Sequence, residues 1–62
     1  MKIDIIDCDG KTMYATIEEA TATQTTAYAT AMEIRLEGRV LHVVNVILYH
    51  EDQILHVEVS PK

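Results

Sequence analysis

Three features of the sequence predict a mainly β protein: a small antiparallel sheet of about five strands, built from an N-terminal hairpin and a C-terminal three-stranded meander. An Ile-rich opening run meets the turn pair Asp9-Gly10. Val40 to Tyr49 holds eight apolar residues in ten, five of them β-branched, which suits a strand covered on both faces. Gln53 to Val59 alternates Leu55, Val57 and Val59 with Ile54, His56 and Glu58, the period of a half-buried strand.

Lys2 to Cys8 is the first strand. Asp9-Gly10 turns it, because both residues tolerate positive φ, and Lys11 to Ile17 returns as the second. A two-residue turn there sets Ile6 opposite Met13 and Ile5 opposite Tyr14. Residues 17 to 31 carry two conflicting signals. Thr16-Ile17-Glu18-Glu19 has the form of a capping box, and Ile17, Ala20, Gln24, Ala27, Ala31 and Ile34 recur at helical spacing. Five Thr among the twelve residues from Ala20 to Ala31 oppose a helix through their restricted χ1. The balance favours extended chain after Thr25. The alternative is an α+β fold of ββαββ type with one helix within 17–37.

Tyr28 to Leu36 then alternates in side-chain size and reaches the turn Glu37-Gly38, and Glu51-Asp52 makes the next turn. Pairing across these turns predicts two faces. One carries the rows Ala31-Val44-Val59, Ala29-Val46-Val57 and Ala27-Leu48-Leu55, a dry surface for the N-terminal hairpin or the helix to cover. The other carries Ile34-Leu41, Met32-Val43-Ser60, Thr30-Asn45-Glu58, Tyr28-Ile47-His56 and Tyr49-Ile54. It is too apolar for water and too polar for plain core, the composition of a surface that meets another chain. A slip of one residue exchanges the faces.

The chain of 62 residues is expected to be a single small domain. Its one cysteine, Cys8, excludes an internal disulfide and reads as a small, partly buried hydrophobe. Asp4 interrupts what would be the apolar stretch of a signal peptide, and no apolar run spans a bilayer, so a reducing cytoplasm is the expected location. Ten acids face five scattered bases, a net charge of −5, which leaves no basic stripe for nucleic acid.

Asp7-Cys8-Asp9-Gly10-Lys11-Thr12 half-matches three signatures. The Asp-x-Asp-Gly nucleophile motif of haloacid-dehalogenase phosphotransferases needs a surrounding α/β domain that 62 residues do not supply. A P-loop requires an earlier Gly where Ile5 stands. An EF-hand loop requires acids where Ile5 and Thr16 stand. The segment therefore reads as a turn with solvated acids. His42 and His50 are expected on the core side of one strand, roughly 26 Å apart, and His56 on the other face, so no two share an ion within one subunit. His42 is expected opposite Glu33.

The expected function is a non-catalytic protein-interaction module (regulator, inhibitor or accessory protein) acting as a homo-oligomer. Its patch is Tyr28, Thr30, Asn45, Ile47, Tyr49, Ile54, His56 and Glu58, with Thr30-Asn45-Glu58 as its polar row. The alternative is a small-ligand binding or sequestering protein whose pocket forms between subunits, lined by Tyr28, Asn45, Glu58 and His56. Expected partners are copies of the chain and a second protein, with no cofactor, metal, nucleic acid or membrane.

Overall fold

Alternation of Ile3 and Ile5 with Lys2 and Asp4 makes the opening run a one-sided strand, and Leu55, Val57 and Val59 do the same for the last. The computed structural model describes residues 1–61. It is mainly β, 54% strand, with one helix and a five-stranded mixed sheet curved into a half-barrel. In chain order the elements are β1 (Lys2–Asp7), β2 (Met13–Ile17), α1 (Ala22–Thr30), β3 (Glu33–Leu36), β4 (Arg39–Tyr49) and β5 (Ile54–Ser60). The spatial order is β2-β1-β5-β4-β3. The five strands of the first expectation and the helix of the alternative are both present.

The all-antiparallel expectation is corrected at one seam. β1 runs parallel to β5, with Ile3 beside Leu55, Ile5 beside Val57 and Asp7 beside Val59. The N-terminal hairpin therefore extends the sheet edge to edge and forms no second layer. Ile3, Ile5, Leu41, Val57 and Val59 are fully buried on the inner face, with Ile34 and Leu55 nearly so. Burying such a cluster is worth roughly 1.5–3 kcal/mol per side chain, the main force holding so small a chain together.

The helix covers that inner face. It runs through Thr30, against the expectation of extended chain after Thr25. Two of its threonines bond backward along the helix: Thr25 donates to the Thr21 carbonyl and Thr30 to that of Thr26, each at 2.9 Å. The capping box sits five residues later than the sequence suggested. The Thr21 hydroxyl accepts from the Gln24 N–H at 3.1 Å, and the Gln24 side chain accepts from the Thr21 N–H at 2.9 Å. Thr16 instead belongs to β2. No helical residue is fully buried; Tyr28, and Ala31 just after the helix, lean on the core. A nine-residue helix with so little burial owes its order to the cap and these contacts.

The two C-terminal turns set the expected register. Ile34 pairs with Leu41, Val46 with Val57, Leu48 with Leu55 and Tyr49 with Ile54. One irregularity breaks it: β4 bulges between Val43 and Asn45, so Val59 pairs with Val43 in place of Val44. Everything in β4 before the bulge changes face. Leu41 and Ile34, expected on the partner-facing side, lie in the core, and Val44 is 55% exposed. His42, expected on the core side, is exposed, as is His50 in the turn.

Both residues of the β3–β4 turn have positive φ, 50° at Glu37 and 78° at Gly38. Gly38 adopts this freely, but Glu37 is strained. Glu37→Asn, which creates the favoured Asn-Gly turn, should stabilise the protein by roughly 1 kcal/mol. Thermal melts should show Tm rising by several degrees, and an unchanged Tm would mean the turn is unstrained.

Candidate functional site

The functional candidates on β4 and β5 are placed by the pleat. Residues 54, 56 and 58 of β5 point away from the buried Leu55, Val57 and Val59, and they pair with residues 49, 47 and 45 of β4. Asn45, Ile47, Tyr49, Ile54, His56 and Glu58 therefore share the outer face, as the sequence predicted. Tyr28 and Thr30 do not join them. Tyr28 packs against the core from the opposite side of the sheet, and the Thr30 hydroxyl is bonded within the helix. A pocket lined jointly by Tyr28, Asn45, Glu58 and His56 is excluded within one chain, since the sheet lies between them.

The polar members of the face satisfy one another. Asn45 Nδ2 donates to Glu58 Oε1 at 3.3 Å, and Asn45 Oδ1 accepts the Val46 N–H at 3.1 Å. Glu58 Oε2 lies 3.3 Å from His56 Nε2. The His56 ring meets Tyr49 edge-on, with centroids 6.0 Å apart. One carboxylate thus ties two strands together through an amide and an imidazole, with the tyrosine ring closing the row. The parallel seam adds neighbours that sequence reasoning missed. It sets Asp4 beside His56 and Ile6 beside Glu58. Thr16 donates to Asp4 at 3.2 Å, with Lys2 Nζ 4.0 Å from the same carboxylate oxygen. The signal was in the opening run, whose Lys2 and Asp4 mark a solvent-side edge.

No family model, curated protein or solved structure matches the chain. Chemistry must therefore be read from the side chains alone. His56 and Glu58 resemble the base and orienting acid of a hydrolytic triad, but the hydroxyl on that strand face belongs to Ser60. Four residues along a strand separate it from His56 by roughly 13 Å, beyond proton-transfer reach. Among the described residues no group of three or more His, Cys, Asp and Glu side chains is arranged to hold a metal ion. No helix is long and apolar enough to cross a membrane.

The Asp-x-Asp-Gly segment is a five-residue loop, Cys8 to Thr12, longer than the expected two-residue turn. Ile6 still pairs with Met13, but a bulge sets Ile5 opposite Ala15 and leaves Tyr14 over. Both acids hold backbone. Asp7 Oδ2 accepts the Asp9 N–H at 3.0 Å, and Asp9 Oδ1 accepts those of Lys11 at 2.7 Å and Thr12 at 3.2 Å. Asp7 Oδ1 also accepts the Tyr14 hydroxyl at 3.0 Å, which raises the Tyr14 pKa. Cys8, expected to be partly buried, is exposed.

The Lys11 N–H holds the Asp9 carboxyl below its ordinary range. A carboxyl with a lowered folded-state pKa contributes stability that is full above its ordinary value of about 4 and lost as pH falls through the folded one. Asp9→Asn keeps an acceptor but not the charge. Its urea midpoint should lie below that of the wild type at pH 7, and the gap should close in acid. A gap independent of pH would refute the charge's role.

Proposed function

We propose that the chain is a non-catalytic protein-interaction module, a regulator, inhibitor or accessory protein, that acts as a homo-oligomer through the outer face of β4 and β5. One observation carries the reading: Ile6, Ile47, Ile54 and Tyr49 flank the mutually bonded row Asn45, Glu58 and His56 on a face opposite the helix, with the Lys2–Asp4 pair on its β1 side. Apolar side chains around such a centre desolvate at low cost, because Asn45, Glu58 and His56 already bond to one another when a partner covers them. Tyrosine adds rigid area with a polar tip. Twofold pairing of like faces is the commonest way for such a surface to close, and a second copy is always at hand.

Association that favours the folded state makes Tm depend on concentration. Each tenfold increase in protein should raise Tm by roughly a few degrees, with light scattering reporting a mass above that of one chain. A constant Tm together with a monomeric mass throughout the micromolar to millimolar range would overturn self-assembly.

A further inference from the structure

β4 is eleven residues long, but β3 accompanies only its first part, pairing with Arg39 to His42. The Met32 carbonyl then accepts the Val43 N–H at 3.0 Å, and among the described residues no strand lies beside β4 from Val44 to Tyr49 on the side away from β5. The backbone there is turned to receive one. Lys2 donates to the Gln53 carbonyl and Cys8 to that of Val59, so the odd-numbered residues of β5 direct their carbonyls at β1. Leu55 and Val57 share that direction by alternation, and they face Leu48 and Val46. Val46 and Leu48 therefore turn their N–H and C=O groups away from β5 and toward the open edge. The Val46 N–H found no strand partner and took the Asn45 side chain.

Natural sheets guard such an edge with charge, proline, brevity or a bulge. Beyond the bulge at Val43–Asn45, Val46-Ile47-Leu48-Tyr49 carries no charge or proline, in a chain whose net charge is −5. Its side chains remain unfinished on the core side, where Leu48 is 53% exposed. We propose that a second copy of the chain adds its own β4 to this edge, antiparallel, about a twofold axis at Ile47. The blocked position at Val43 and the turn beginning at His50 bound the free length to 44–49, and within it Val46 and Leu48, whose backbone groups face the edge, are symmetric about Ile47. In this register Val46 of each copy exchanges two backbone hydrogen bonds with Leu48 of the other, four in all. Val46 and Leu48 meet on the inner side and extend both cores, while Ile47 meets its own copy on the outer side. The sequence is complementary to itself in this register, with no charge at any paired position, which favours a copy over a foreign strand.

This contact is made by backbone groups of β4 and the outer-face contact by side chains, so the two are separable by experiment although Ile47 and Tyr49 border both. A chain made by chemical synthesis with an N-methyl group on Leu48 loses the donor at the open edge and no bond of the β4–β5 ladder. Ile54→Lys disables the outer face at a residue of β5, which contributes no backbone group to the edge. Both variants and the wild type are measured by sedimentation, with circular dichroism as the check on folding. With both contacts present, each change alone halves the mass of the assembly, and together they give monomers. If methylation leaves the mass unchanged in both backgrounds, edge pairing is wrong. If methylation alone gives monomers and Ile54→Lys changes nothing, edge pairing stands and the outer-face reading falls. Amide exchange needs no variant. The Leu48 N–H should exchange at least about tenfold more slowly in concentrated than in dilute wild-type protein. Leu48 exchange that ignores concentration overturns the edge contact even if the methylated chain fails to fold.

Discussion

Leu41→Ala should lower Tm by about 15 °C and leave a large fraction of the chain unfolded at body temperature. Leu41 is fully buried, opposite Ile34. Truncating a buried leucine removes its transfer free energy and leaves a cavity, about 3 kcal/mol together. A hydrophobic core in a chain this short rarely supplies more than about 3–5 kcal/mol in total. The neighbouring Val40 is 40% exposed and points outward, so Val40→Ala is a matched control expected to change stability by no more than about 0.5 kcal/mol. The pair tests the β4 bulge itself. Without that bulge Leu41 would lie on the outer face and Val40 on the inner, and the two effects would exchange. Chemical denaturation of both variants gives the comparison directly.

The bulge also marks where the sequence stopped being informative. Turn chemistry is local, so Glu37-Gly38 and Glu51-Asp52 fixed which residues of β3, β4 and β5 meet, and most of those pairs are present. A bulge inserts one residue wherever packing gains by it, and the uninterrupted run Val43-Val44 gives no sign of the place. With alternation carried straight through, Leu41 falls on the wrong face. The parallel seam between β1 and β5 was hidden for a different reason. Lys2 to Asp7 is separated from Ile54 to Ser60 by most of the chain, and no local signal reports a pairing that distant. Its trace was only that both runs alternate, each with one dry side. The helix lost to threonine's propensity on paper. In the fold, the Thr21–Gln24 cap and the contacts of Tyr28 and Ala31 with the core offset that penalty. Site residues on β4 and β5 beyond the bulge were legible because period two and one turn sufficed to place them. Tyr28 and Thr30 were assigned by extending that period into a segment that is not a strand.

Ile54→Lys should weaken self-association by roughly a hundredfold, about 3 kcal/mol, while leaving the fold intact. Ile54 is half-buried on the outer face, opposite Tyr49 and beside Lys2. In a free chain a lysine there lays its alkyl stem along the same neighbours and carries its ammonium into water, so stability changes little. Covered by a partner, that ammonium would lose its water. The nearest carboxylate clusters are already engaged, Glu58 with Asn45 and His56, and Asp4 with Thr16 and Lys2. A second ammonium beside Lys2 adds repulsion to desolvation. Thr23→Lys provides the contrast. Thr23 is exposed on α1, across the sheet from the outer face, and the same charge there stays hydrated in either state. Sedimentation across a concentration series should therefore separate the two variants widely, with matching circular dichroism spectra. Equal association by Ile54→Lys and wild type would place the contact elsewhere than on the outer face. A loss of folding in Ile54→Lys would instead show that Ile54 contributes to the single chain as much as Leu41 does, which its half-buried position on the face opposite the core argues against.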